Sequence, residues 1–125
     1  MRTYLVDGTN VVRRANYDPR FPEMEELRTQ DLIRRLNSMA VGIYIELFLD
    51  GPRRPVGPAG PVRIRFAMEG GADEAILGTV RSIRNNGKGV VVVTGDGPLA
   101  QAAQDEGARV MGFSEFQRRL QDGKA

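Results

Sequence analysis

Val90-Val91-Val92-Val93, entered from Gly89, is β-branched throughout, with no polar residue alternating among its apolar ones. A strand with one wet face alternates apolar and polar residues. An unbroken run therefore needs cover on both faces, which a parallel sheet between two layers of helices supplies. That segment directs the reading of the rest: other apolar runs should pair beside it, with helices in between.

Thr3-Tyr4-Leu5-Val6 is a second apolar run and stops at Asp7-Gly8; Ile43 to Leu49 is a third and stops at Asp50-Gly51. Both read as buried strands that end in a turn. Val62-Arg63-Ile64-Arg65-Phe66 alternates, which predicts an edge strand with one wet face, and Arg109-Val110-Met111 is a last short strand. Leu32, Ile33, Leu36, Met39 and Ala40 recur at helical spacing after Thr29, read as an N-cap. A second helix is expected from about Ala72 to Arg84. A third opens at Asp96 with Pro98 in its first turn and ends near Gly107, and a fourth opens on the capping-box pattern Ser114-x-x-Gln117. Asn16 to Glu23, with Pro19 and Pro22, reads as irregular. Residues 51–61 hold four prolines and three glycines, an extended loop suited to act as a lid. The alternation of strand and helix predicts an α/β sandwich of three layers around a parallel sheet of about five strands. A length of 125 residues suits one domain over residues 1–125.

The chain has no histidine and no cysteine, which removes Ser-His-Asp and Cys-His catalysis, thiolate zinc and disulfides together. Carboxylate chemistry remains, and carboxylates suit hard cations such as Mg²⁺ or Mn²⁺. No apolar run is long enough for a membrane span and the first residues lack a signal-peptide pattern, so a cytoplasmic address is expected. Of the 18 basic residues only Lys88 and Lys124 are lysine. The arginine bias is weak support for a phosphate-bearing partner, because guanidinium groups bind phosphate bidentately.

Asp7 and Asp50 directly follow strands, Asp96 lies three residues past the valine run, and Asp73 opens the helix after the third strand. Parallel strands bring all four to one edge of the sheet, beyond the carboxyl ends where such folds bind ligands. Asp-Gly is ordinary turn chemistry and Asp an ordinary N-cap, so each aspartate alone has a structural explanation. Four carboxylates at one edge repel one another, and a divalent cation removes that penalty while supplying the chemistry of phosphodiester hydrolysis.

Two other motifs fail on their physics. Gly95-Asp96-Gly97-Pro98-Leu99-Ala100 fits a dinucleotide fingerprint, but Asp96 would face a pyrophosphate and Pro98 has no N–H to offer. Val6-Asp7-Gly8-Thr9 resembles a haloacid-dehalogenase phosphatase motif, yet Leu5 stands where that family has its nucleophilic aspartate.

Tyr4-Leu5-Val6-Asp7-Gly8-Thr9-Asn10 resembles the opening strand and turn of the NYN domain, a PIN-like nuclease fold, and especially its YacP-like branch. Phe48-Leu49-Asp50-Gly51, Gly71-Ala72-Asp73-Glu74-Ala75-Ile76 and Val92-Val93-Thr94-Gly95-Asp96 are similar to that family's later motifs, in order. The resemblance implies a PIN-like, Rossmannoid sheet in the order 3-2-1-4-5, divalent metal held by the aspartates, and endonucleolytic cleavage of RNA. Asn10 matches the family's asparagine, which positions a carboxylate or the scissile phosphate; it also suits a cap for a short helix at Val11 to Arg14. Thr9, Gly71 and Gly95 stand where the family usually has Tyr, Thr and Ser.

The resulting expectation is a metal-dependent endoribonuclease in which Asp7, Asp73 and Asp96 bind Mg²⁺ or Mn²⁺. Asp50 is a ligand or outer-shell base, and Glu74 is held in reserve. Arg13, Arg14, Arg20, Arg53 and Arg54 are candidate phosphate contacts, with Tyr17 or Phe21 available to stack on bases. Structured or ribosome-associated RNA is the substrate class in view. The competing reading is a non-catalytic RNA-binding or ribosome-associated module of the same fold.

Overall fold

The computed structural model describes residues 1–14, 17–68 and 71–125. Its elements run β1 (Arg2–Asp7), α1 (Gly8–Arg13), α2 (Pro22–Met39), β2 (Ile43–Asp50), β3 (Arg63–Ala67), α3 (Ala72–Asn85), β4 (Val91–Val93), α4 (Gly97–Asp105), β5 (Arg109–Met111) and α5 (Phe113–Gln121). The five strands form one sheet in the order β3-β2-β1-β4-β5, and every neighbouring pair is parallel. The expected α/β sheet and strand order are therefore what the chain forms.

Alternation along each strand divides the core into two layers. Tyr4, Val6, Ile45, Leu47, Leu49, Val91 and Val93 pack with Leu32, Ile33 and Leu36 of α2 and Phe116 of α5. Leu5, Phe48 and Val92 face the other way, against Ile76, Leu77 and Val80 of α3 and Leu99 and Ala103 of α4. Both faces are covered, as the valine run requires. β3 lies at the edge, with Arg63 exposed and Glu46 of β2 buried beside it, 3.6 Å from both Arg63 and Arg65.

Several boundaries differ from the sequence reading. Helix α2 starts at Pro22, so Thr29 is no N-cap; it lies buried inside the helix, its hydroxyl donating to the Glu25 carbonyl at 2.8 Å. Of the stretch read as irregular, residues 17–21 are neither helix nor strand, only Pro22 and Glu23 belong to α2, and Asn16 lies outside the described residues. Pro22 at N1 and Glu23 in the first turn suit a helix start. The Ser114-x-x-Gln117 capping box does not form: α5 begins at Phe113 after Gly112, with no side-chain cap. The short helix begins at Gly8, which places Asn10 within it rather than at its cap. The 51–61 loop is strapped along α2 and lines no part of the aspartate cleft, so it is not placed as a lid. Val56 is buried, and Asn37 of α2 donates to the Pro58 carbonyl and accepts from the Val62 amide.

Gly8 is required by close approach. A Cβ there would lie 2.8 Å from Leu47 and Leu49 side-chain carbons and 2.9 Å from the Phe48 carbonyl oxygen. The backbone oxygen cannot rotate away, so α1 would have to lift from β2. Gly8→Ala is expected to destabilise the fold by about 1–3 kcal/mol in chemical denaturation, despite alanine's better helix propensity.

Candidate active site

The strand order reverses between β1 and β4, and the candidate residues gather where those strands end. Asp7, Asp50, Asp73 and Asp96 line a single cleft of about 250 Å³ together with Thr9, Asn10, Arg13 and Ala72. All five residues singled out as catalytic candidates, Asn10 included, meet in it.

Each reaches the cleft by a different local device. Asp7 is the last residue of β1 and the N-cap position of α1, and it is only 4% exposed. Asp50 ends β2, and its backbone N–H donates to the buried Thr9 hydroxyl at 2.9 Å, tying β2 to α1. Asp73 is the second residue of α3 and is exposed. Asp96 caps α4, its Oδ1 accepting from the Leu99 amide at 3.0 Å.

Thr94 joins two of these carboxylates, a role that sequence reasoning missed. Its buried hydroxyl donates to Asp7 Oδ2 at 2.9 Å and accepts from the Asp96 backbone N–H at 3.1 Å. The available signal was a hydroxyl at the end of a central strand, beside a strand ending in aspartate. Asn10 adds a second link, its Oδ1 accepting from the Gly95 amide at 2.9 Å. Glycine in place of the family's usual serine at Gly95 removes a hydroxyl but leaves this backbone contact. At Gly71 a Cβ would stand 2.9 Å from the Met68 carbonyl oxygen, so this position favours glycine over the usual threonine.

The electrostatics are those of a crowded acidic site. Burial raises the Asp7 carboxyl to about 6; Asp73 and Asp50 add repulsion, while Thr94 and the Asn10 amide pull the other way. Asp73 is also raised, by desolvation first and then by Asp96, Asp50 and Glu74. Glu74 is exposed and is not among the residues lining the cleft. The donor set, all carboxylate oxygen, matches Mg²⁺ or Mn²⁺. Among the described residues no three acidic side chains stand close enough together to grip one ion. Mg²⁺ usually takes one or two carboxylates and keeps several waters, so binding it does not require a three-carboxylate grip.

The five candidate arginines disperse. Arg13 lines the cleft and makes a two-pronged pair with Glu25 at 2.9 and 3.0 Å. Arg14 lies in a neighbouring groove beside Ser114, 3.4 Å away. Arg20 pairs with Asp18, and Arg54 pairs with Glu26 while also donating to the Asp50 carbonyl. Arg53 lines a separate pocket under the proline loop. Tyr17 and Phe21 are about half exposed and border one small groove beside α2.

Comparison with known proteins agrees with this fold and its motifs. Two crystal structures of Rae1 (YacP) from Bacillus subtilis superpose on the chain. One, a tryptophan-to-leucine variant, gives a TM-score of 0.66 at 21% identity over 96% of this chain and 74% of that one. The other gives 0.67 at 20% identity over 98% and 75%. No curated protein sequence matches the chain. The family model for the YacP-like NYN domain matches residues 4–125. With nearly every residue inside that match, the chain belongs to the YacP-like NYN domain family.

Proposed function

We propose that the protein is a metal-dependent endoribonuclease that hydrolyses RNA phosphodiester bonds at the aspartate cleft. The observation that carries this reading is the convergence of Asp7, Asp50, Asp73 and Asp96 on one cleft at the switch point of the sheet. Family membership supports it, because NYN domains are nucleases that act on RNA. Asp7, Asp73 and Asp96 would hold Mg²⁺ or Mn²⁺, one or two of them directly and the rest through the ion's own waters, with Asp50 as a further ligand or outer-shell base. A divalent cation bound there supplies an activated water and neutralises charge that develops at the scissile phosphate.

The chain's own residues do the positioning. Thr94 fixes the rotamer of Asp7 and the backbone before Asp96, and Asn10 holds the Gly95 turn against α1. Arg13 is the cation nearest to hand for a phosphate entering the cleft, and Glu25 keeps its guanidinium extended. Among the described residues no helix is long and apolar enough to cross a membrane, and a cytoplasmic site of action is part of this reading. Structured or ribosome-associated RNA remains the substrate class to test first.

The test incubates purified protein with structured and single-stranded RNA in Mg²⁺, Mn²⁺ or EDTA. Internal cleavage that needs the metal is the expected result, and cleavage that persists in EDTA overturns the metal role. The spacing of the carboxylates also suits a module that binds RNA without cutting it. Binding with no cleavage in either metal would establish that second reading.

A further inference from the structure

The opposite end of the sheet carries a second basic feature. A pocket of about 420 Å³ opens at the N-terminal edge of β1, β4 and β5, and its lining includes Arg2, Arg84 and Arg109 with no acidic residue. The register explains why they meet. Tyr4 of β1 and Arg109 of β5 both stand opposite Val91, the first residue of β4, and Arg2 is two residues before Tyr4. Arg84 arrives from the last turn of α3, donating to the Lys88 carbonyl at 3.1 Å. Gly107 (φ +92°) leaves it room: a Cβ there would stand 3.0 Å from Arg84 Nε.

The charge state of this pocket sets it apart. Among the described residues nine other arginines sit within salt-bridge distance of a carboxylate, whereas Arg2, Arg84 and Arg109 do not; Arg14, Arg53 and Arg118 also lack one, but Arg14 and Arg53 line different pockets, so three together occur here. All three are exposed. A guanidinium stays charged at any physiological pH and offers a planar fork of donors that matches phosphate oxygens.

We propose that this pocket binds the phosphodiester backbone of RNA at a distance from the scissile bond. The inference rests on RNA being the substrate of the aspartate cleft. The pocket is separated from that cleft by the length of β1, six residues or about 20 Å. A small anion fills one site or the other, while an extended polyanion spans both. Three arginines from three elements around an open pocket suit a backbone that passes through.

The experiment measures binding of an RNA of about 30 nucleotides by fluorescence anisotropy in EDTA, across a salt series. It compares the wild type, R2Q/R84Q/R109Q, and the charge-matched control R34Q/R81Q/R118Q. Each phosphate contact to a single strand contributes about 0.7 to the slope of log affinity against log salt. The pocket variant should therefore lose about 2 from that slope and bind about tenfold or more weakly at low salt. The control should keep most of both. A pocket variant that matches the control overturns this inference and leaves the nuclease reading standing. A wild type that binds no RNA overturns both. If the triple variant does not fold, R2Q and R109Q singly should each lower the slope by about 0.7, and no change in either overturns the inference.

Discussion

Asp7→Asn is expected to abolish RNA cleavage and, in the same protein, to make the metal-free fold more stable at pH 8. The loss of activity should be at least about 100-fold, because a carboxylate that helps to hold the cation underwrites several kcal/mol of charge stabilisation in the transition state. The gain in stability follows from burial. Asp7 is 4% exposed, and its carboxyl is raised from 3.8 to about 6 by desolvation first, with repulsion from Asp73 and Asp50 added. Below pH 3.8 both folded and unfolded chains carry the proton. Between 3.8 and about 6 the folded chain keeps a proton that the unfolded chain has released, so stability falls as pH rises. Above that window the loss is complete, at about 3 kcal/mol.

Asparagine at this position has no charge to bury and keeps an oxygen to accept from Thr94. The variant and wild type should therefore be similar in stability near pH 4 and separate as pH rises to 8, by up to about 3 kcal/mol. Urea unfolding in EDTA at the two pH values measures this. A variant no more stable than wild type at pH 8 would show that the buried charge is not the source of the strain. Adding Mn²⁺ should raise the wild-type melting temperature and leave that of Asp7→Asn nearly unchanged, since the ion stabilises by binding the folded state alone. A structural role for Asp7 predicts the reverse pattern, with lost stability and no metal effect.

What the sequence showed and what it hid divide along physical lines. Strand ends were legible because a buried apolar run stops abruptly, so Asp7, Asp50 and Asp96 could be placed relative to β1, β2 and β4. The central place of β4 was legible in Val90 to Val93 and the edge place of β3 in the alternating Arg63 and Arg65, whereas the strand order came from the family resemblance alone. The first two turns of α2 were not, because Pro22 to Arg28 contribute no buried residue and leave no periodic trace. The valine run promised a longer strand than β4, yet the ladder is limited by its partners, which pair only from Val91 to Val93. The arginines were the least legible. Where a guanidinium points depends on which carboxylate the fold brings within reach: Asp18 two residues from Arg20, Glu26 for Arg54 from 28 positions away. Composition counted them but gave no sign that Arg2, Arg84 and Arg109 would converge at the far edge.

Thr94→Val is expected to lower metal affinity or cleavage about 10- to 100-fold without touching substrate. Valine keeps the shape of the side chain and the β-branched preference of a strand end, so the core packing around it is preserved. The substitution deletes a donor to the buried Asp7 carboxylate and an acceptor for the Asp96 backbone N–H, both within 3.1 Å of the hydroxyl. Hydrogen bonds to charged groups contribute about 1.5–3 kcal/mol, so the ionised form of Asp7 loses its strongest support. Its carboxyl is then pushed further above the ordinary range, and the acid limb of the pH–rate profile should move to higher pH. A purely structural role for Thr94 would lower the melting temperature and leave that limb in place. Thr94→Ser restores the hydroxyl without the methyl group. It should return the limb to its wild-type position while recovering little of any lost packing, and a serine variant that behaves like valine would rule out the hydroxyl as the link between the two aspartates.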